Sequence, residues 1–221
     1  MMIAKKLSNE QIAMRCAKDI PDGSYVNLGI GIPTLVSNFI EGKEILFHSE
    51  NGILGSGERP PEGLEDLDLV NVSAEPITLV DGGVFVNHSD SFLMVRGGHL
   101  DISVMGSFQV SEKGDLANWI TDPKAIPGIG GAMDLAKGAK EVFITMKHTT
   151  KNGEPKILKE CTFPLTAAGV VKRIYTDLAV IEVTEEGLEL KELIPDMSIE
   201  EIQDVTEAKL IVKGEVLPLL P

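Results

Sequence analysis

Basic residues are the scarce charge in this sequence. Lys and Arg number 20 against 34 Asp and Glu, and the formal net charge is −14. A nucleic-acid binder needs a basic footprint on phosphate, so no nucleic-acid partner is expected, and an anionic membrane surface is disfavoured on the same ground. The surplus of carboxylates reads first as solubility. Cysteine is nearly absent: Cys16 and Cys161 lie far apart, with no CxxC pair and no metal-ligand spacing. That excludes a disulfide framework and predicts a reducing compartment. No apolar run approaches the roughly 20 residues needed to span a bilayer. The opening "MMIAKKLSNE" has lysines but no apolar stretch of a signal peptide, so a cytoplasmic protein is expected. His48, His88, His99 and His148 share no zinc-like spacing with one another or with the cysteines, and no metal site is predicted. Trp119, the lone tryptophan, reads as a residue packed under a loop.

The 221 residues do hold enough apolar content, 43%, for a sizeable core. It comes in short runs separated by turn residues. Ser8 with Gln11 forms a capping box ahead of Ile12, Cys16 and Ile20, one apolar stripe of a helix ended by "PDG" at 21–23. Residues 24–28 read as a strand and "GIGIP" follows at 29–33. Leu35, Val36, Phe39 and Ile40 give the buried face of a second short helix, and 45–48 a second buried strand. This βα alternation predicts an α/β fold, an open layered, mostly parallel sheet with helices on both faces. Strands are further expected at 77–80, 84–86, 101–105, 141–146 and 178–183, a short helix at 132–139, a hairpin turn at "TEEG" 184–187, and a final capped helix from Ser198 to about 208. The long segment 54–75 reads as a functional loop or partner contact. Without repeats or linker-like breaks, the expectation is one domain over 1–221.

Three glycine-bearing loops stand out: Gly29-Ile-Gly31-Ile-Pro33, the stretch "SENG" at 49–52, and Gly128-Ile-Gly130-Gly131. Neither the first nor the third completes a dinucleotide GxGxxG, and neither carries the lysine of a phosphate-binding P-loop. Their common property is position, beside the ends of predicted strands, where open α/β sheets bind ligands. Glycines there let backbone N–H groups approach a ligand closely. Glu50 stands in the middle loop. Asn51-Gly52 admits a plain hairpin turn, and a carboxylate raised at the end of a strand admits a nucleophile.

Taken together, "NLGIGIPT" (27–34), "SENGILG" (49–55), "RGGHLDISVMGSFQV" (96–110), "KGDLANW" (113–119), "PGIGGAMDL" (127–135) and "PKILKECTFPLT" (155–166) carry a resemblance. The chain resembles the B (beta) subunit of two-subunit family I CoA-transferases, the 3-oxoacid and acetate or butyrate–acetoacetate type. The resemblance implies a CoA-transferase fold and Glu50 as a nucleophile that carries coenzyme A as a transient glutamyl-CoA thioester. It also implies no permanently bound cofactor. Gly131, with Gly130 beside it, is implied to offer backbone N–H groups to an oxyanion. Ser49 and Asn51 are implied to orient the nucleophile, Gly29 and Gly31 to line the pocket, and Gly52 to belong with them to the substrate- and CoA-binding residues. A separate A (alpha) subunit, in an α2β2 assembly, is the implied partner. Two other readings use the same loops: a sugar-phosphate isomerase-like enzyme with Glu50 as a base, and a sensor that binds a CoA ester or phosphorylated ligand without turnover.

Overall fold

A computed structural model describes residues 6–121 and 128–221; Pro127 of the third glycine loop lies outside the described residues. Helix α1 (Asn9–Lys18) begins where the capping box predicts: Ser8 Oγ accepts from the Gln11 N–H (3.2 Å) and Gln11 Oε1 accepts from the Ser8 N–H (2.9 Å). Ile12, Ala13, Cys16 and Ala17 form its buried face. It packs on the second short helix expected from the sequence, which is a 3-10 helix, Pro33–Phe39. That segment has no side-chain cap, Ser37 turns its hydroxyl back onto the Thr34 carbonyl (2.9 Å), and only Pro33 and Val36 are buried.

The main sheet is built on β1 (Tyr25–Leu28), β2 (Leu46–Ser49), β5 (Ile102–Met105), β8 (Glu141–Thr145) and β10 (Val171–Tyr175). These five run parallel in the order β10-β8-β5-β1-β2. β5 is buried throughout and β8 from its second residue on, as expected for strands covered on both faces. The mostly parallel α/β sheet predicted from the sequence is therefore present.

Antiparallel pieces extend both sides. β3 (Ile53–Ser56) folds back on β2 and pairs with β4 (Leu79–Phe85). On the far side, β11 (Ala179–Thr184) and β12 (Gly187–Leu193) form the hairpin expected at "TEEG", with Thr184 opposite Gly187. Short strands β13 (Leu210–Ile211) and β14 (Leu217–Pro218) both pair with β12. A second, three-stranded sheet is made by β6 (Gln109–Ser111), β7 (Leu116–Ala117) and β9 (Ile157–Leu158) in the order β7-β6-β9. Helices α2 (His88–Arg96) and α3 (Ala132–Gly138) pack on each other, and α4 (Ile199–Asp204) starts at the predicted Ser198–Glu201 capping box. The expected strands at 77–80 and 84–86 are one continuous strand, because Gly82 at φ +83° carries β4 through the glycine pair instead of ending it.

Candidate active site

Parallel strands leave their carboxyl ends at one edge of the sheet, and a cavity of about 590 Å³ sits there. It is lined by Leu28 and Gly29 beyond β1, Glu50 beyond β2, Met105 to Phe108 beyond β5, and Thr145 to Lys147 at β8. Gly128, Ile129, Gly130 and Gly131 close it from the segment that leads into α3.

Glu50 stands in the turn that the sequence allowed, and its carboxylate faces the cavity. It starts a tight turn between β2 and β3, closed by the Gly52 N–H donating to the Ser49 carbonyl (2.9 Å), and its side chain lines the cavity. Burial pushes its carboxyl above the ordinary carboxylate value. His88 opposes that shift and Asp134 adds to it, both through space. Among the described residues no side-chain hydrogen bond ties the carboxylate down. Gly131, the N-cap of α3, approaches so closely that a Cβ there would collide with Glu50 Oε2 and lie 2.6 Å from Phe92 Cζ. Its φ of −82° suits any residue, so it is space rather than backbone conformation that a side chain here would contest, by displacing Glu50 or Phe92.

The other predicted positions divide. Gly29 lines the cavity; its N–H donates to the Val104 carbonyl (2.8 Å) and a Cβ would meet the same oxygen at 3.2 Å. Gly130 lines it at φ +55°. Gly31 (φ +93°) is a turn residue outside the lining. Ser49 is buried and borders a smaller cavity of about 50 Å³ next to the main one. Asn51 turns away, its Nδ2 donating to the Val70 carbonyl (2.9 Å), which ties the Glu50 turn to the long loop after β3. Gly52 holds φ +111° with no room for a Cβ beside the Val86 carbonyl, and its own carbonyl accepts from the Val86 N–H (2.9 Å).

Several groups at the site were not read from the sequence. α2 contributes Phe92, which packs behind Glu50 and Gly131, and His88, whose ring lies 4.8 Å from that of Phe92. Arg96, further along α2, pairs with Asp134 of α3 through two bonds of 2.8 and 3.0 Å. Arg96 in a last turn followed by Gly97-Gly98 is a helix-stop signal that marks α2 in retrospect. On the strands that lead to Glu50, Asn27 Nδ2 donates to the His48 carbonyl (3.1 Å) and lies 3.1 Å from His48 Nδ1, while His48 Nε2 meets Ser91 Oγ at 2.7 Å. Burial takes the His48 imidazole down to about 4, so it is neutral, with its proton on the Ser91 side. Lys156 also lines the cavity, and its Nζ donates to the Ser107 carbonyl (2.8 Å).

A carboxylate on a strand-end turn, beside a glycine whose side chain would displace it, at the carboxyl edge of an α/β sheet, fits the class of enzymes that use an acidic side chain in a ligand pocket. Comparison with known proteins narrows the class. Residues 9–204 match the family model described as coenzyme A transferase, and the chain belongs to that family. It is 56% identical over 212 residues to the B subunit of 3-oxoadipate CoA-transferase from Pseudomonas putida, covering 96% of this chain and all of the relative. It is 50% identical over 204 residues to the B subunit of succinyl-CoA:3-ketoacid coenzyme A transferase from Helicobacter pylori, covering 92% of this chain and 99% of the relative. The solved apoenzyme of an acyl-CoA transferase from Escherichia coli O157:H7 shares the fold, with a TM-score of 0.76 at 17% identity. All of this chain aligns with it, and the chain spans 45% of that longer one.

Proposed function

We propose that this chain is the catalytic B subunit of a CoA-transferase of the 3-oxoacid type, acting as one domain over 1–221, and that it moves coenzyme A between an acyl-CoA and a free carboxylic acid through Glu50. One observation carries the reading: the Glu50 carboxylate faces the cavity, half-buried and without a hydrogen-bond partner among the described residues, so close to Gly131 that a Cβ there would displace it. The similar proteins support it, since both are named as CoA-transferases.

The chemistry proceeds in balanced steps. A Glu50 oxygen attacks the thioester carbonyl of the acyl-CoA; the C–S bond breaks and the CoA thiolate leaves, giving an acyl-glutamyl anhydride. The thiolate then attacks the Glu50 carbonyl, the first acid departs as its carboxylate, and a glutamyl-CoA thioester remains. A second acid repeats the steps in reverse. A carboxylate needs no general base, and the raised basicity of Glu50 strengthens it as a nucleophile once ionised. Each tetrahedral oxyanion needs fixed donors, a role proposed for the N–H groups of Gly131 and Gly130, both of which line the cavity with Glu50. Water must be excluded, because anhydride and thioester both hydrolyse. Coenzyme A is thus substrate rather than resident cofactor. A separate A (alpha) subunit, in an α2β2 assembly in the cytoplasm, completes the pocket. Such a partner is supported by the similar proteins, each of which is one subunit of its transferase.

The test is covalent trapping. The complex with its alpha partner is incubated with succinyl-CoA or acetoacetyl-CoA, then treated with borohydride or hydroxylamine and mapped by mass spectrometry. Modification at Glu50 is expected, together with loss of transfer by several orders of magnitude in Glu50→Gln while CoA-ester binding persists. No modification at Glu50, with activity intact in Glu50→Gln, rejects the reading and returns the site to an isomerase-like base or a sensor.

A further inference from the structure

The cavity holds a cation that the transfer chemistry at Glu50 does not use. Lys156 precedes β9, and its Nζ reaches the Ser107 carbonyl just beyond the carboxyl end of β5. Among the described residues it forms no ion pair. The nearest acid acting on it, Asp177, does so only through space, and the Asp177 carboxylate is engaged by the His148 N–H at 2.7 Å. Burial lowers the Lys156 ammonium to about 8, which leaves it mostly protonated at neutral pH. A half-buried ammonium that meets only one carbonyl retains donors for a ligand. Lys147 also borders the cavity, but its Nζ is directed to the Leu7 carbonyl (3.1 Å).

The sheet sets the spacing of the loops against which the two charges lie. β5 and β2 are the two neighbours of β1, all three parallel, so the loops carrying Ser107 and Glu50 leave the sheet two strand spacings apart, about 10 Å. Glu50 and Lys156 line the same cavity, so a short dicarboxylic acid can lie between them, one end reacting at Glu50 and the other in charge-assisted contact with the ammonium. Around the line between them are Phe108, Met105 and Ile32, apolar walls for methylene groups.

We propose that Lys156 is a specificity-determining residue that holds the distal carboxylate of a dicarboxylic acid substrate, so that this enzyme exchanges CoA onto dicarboxylic acids in preference to monocarboxylic ones of similar length. The proposal rests on the transferase reading of Glu50. Its test uses the complex with its alpha partner and four acceptor acids: succinate and 3-oxoadipate against acetate and acetoacetate. The wild-type complex is expected to have the higher kcat/KM for the two dicarboxylates. Lys156→Met, which keeps the stem and removes the charge, is expected to cut the dicarboxylate-to-monocarboxylate ratio roughly 10- to 100-fold, with the loss falling on KM. Lys156→Arg should restore part of that ratio. A wild type that prefers the monocarboxylates overturns the inference whether or not the variants fold, and so does a Lys156→Met complex whose ratio is unchanged because all four acids decline together. Absence of exchange with every acid, and of a Glu50 adduct, instead rejects the transferase reading beneath it.

Discussion

The reactivity of Glu50 is set by three influences that pull in different directions. Burial and Asp134 raise its basicity, and His88 lowers it. In the proposed transfer only the ionised Glu50 carboxylate attacks, so the chemical step is expected to gain rate as pH rises through the Glu50 value and to lose it on the acid side. Asp134→Asn removes a like charge and moves that acid limb to lower pH; His88→Gln removes the opposing influence and moves it higher. Single-turnover formation of the glutamyl adduct across a pH series measures both, and shifts in the same direction for the two variants would contradict this account. Gly131→Ala places a methyl group against Glu50 Oε2 and Phe92 while its φ remains acceptable. The carboxylate must then move by a large fraction of an ångström, and kcat/KM should fall by roughly 100-fold or more. Overpacking is expected to cost about 1–3 kcal/mol of stability, to be read from urea titration.

At the scale of elements, the residues that cap, turn or run apolar announced themselves. The two capping boxes, the "TEEG" hairpin and the apolar runs of β5, β8 and β11 lie where local chemistry puts them, because each is decided within a few residues. The Glu50 and GxGG loops could be picked out as site-bearing because glycine clusters beside strand ends let a backbone approach a ligand closely. What the sequence hid was long-range. Phe92 and His88 sit on a helix whose pattern is broken by Ser91, a buried polar residue explained only by His48 across the site. Lys156 looks like a surface lysine until the three-stranded sheet brings it under Ser107. Asn51 looked like a site residue because it adjoins Glu50, yet successive side chains in a turn diverge and it faces Val70. Its neighbour Gly52 shows how tightly this turn is held. Gly52→Ala meets both an unfavourable φ of +111° and the Val86 carbonyl, and should destabilise the protein by at least about 1–3 kcal/mol. Asn51→Ala should cost less than about 1 kcal/mol while speeding amide exchange around Val70, since it removes one exposed hydrogen bond.

For the whole molecule, acid is felt through two buried histidines as well as through Glu50. His148 is fully buried between the hydroxyls of Thr176 (3.0 Å) and Thr206 (2.8 Å), and His48 sits between Asn27 and Ser91. Burial takes each imidazole down to about 4. Unfolded, each would protonate near 6.5, so between about 6.5 and 4 the unfolded chain binds more protons than the folded one, and stability falls as pH falls through that window. The full shift is worth on the order of 3 kcal/mol for the buried His148 and less for the partly screened His48. Relief of self-repulsion among the surplus carboxylates, at a net charge of −14, acts in the opposite sense as they begin to protonate. The urea midpoint should therefore decline from about pH 6.5 downward, while NMR shows two imidazoles that stay neutral until about pH 4. Four histidines all titrating near 6.5 would remove the basis for that decline. The kinetic and structural acid effects also separate cleanly: loss caused by protonation of Glu50 is reversed within mixing time on return to neutral pH and shifts in Asp134→Asn, whereas loss through the histidines follows the unfolding transition and ignores that substitution.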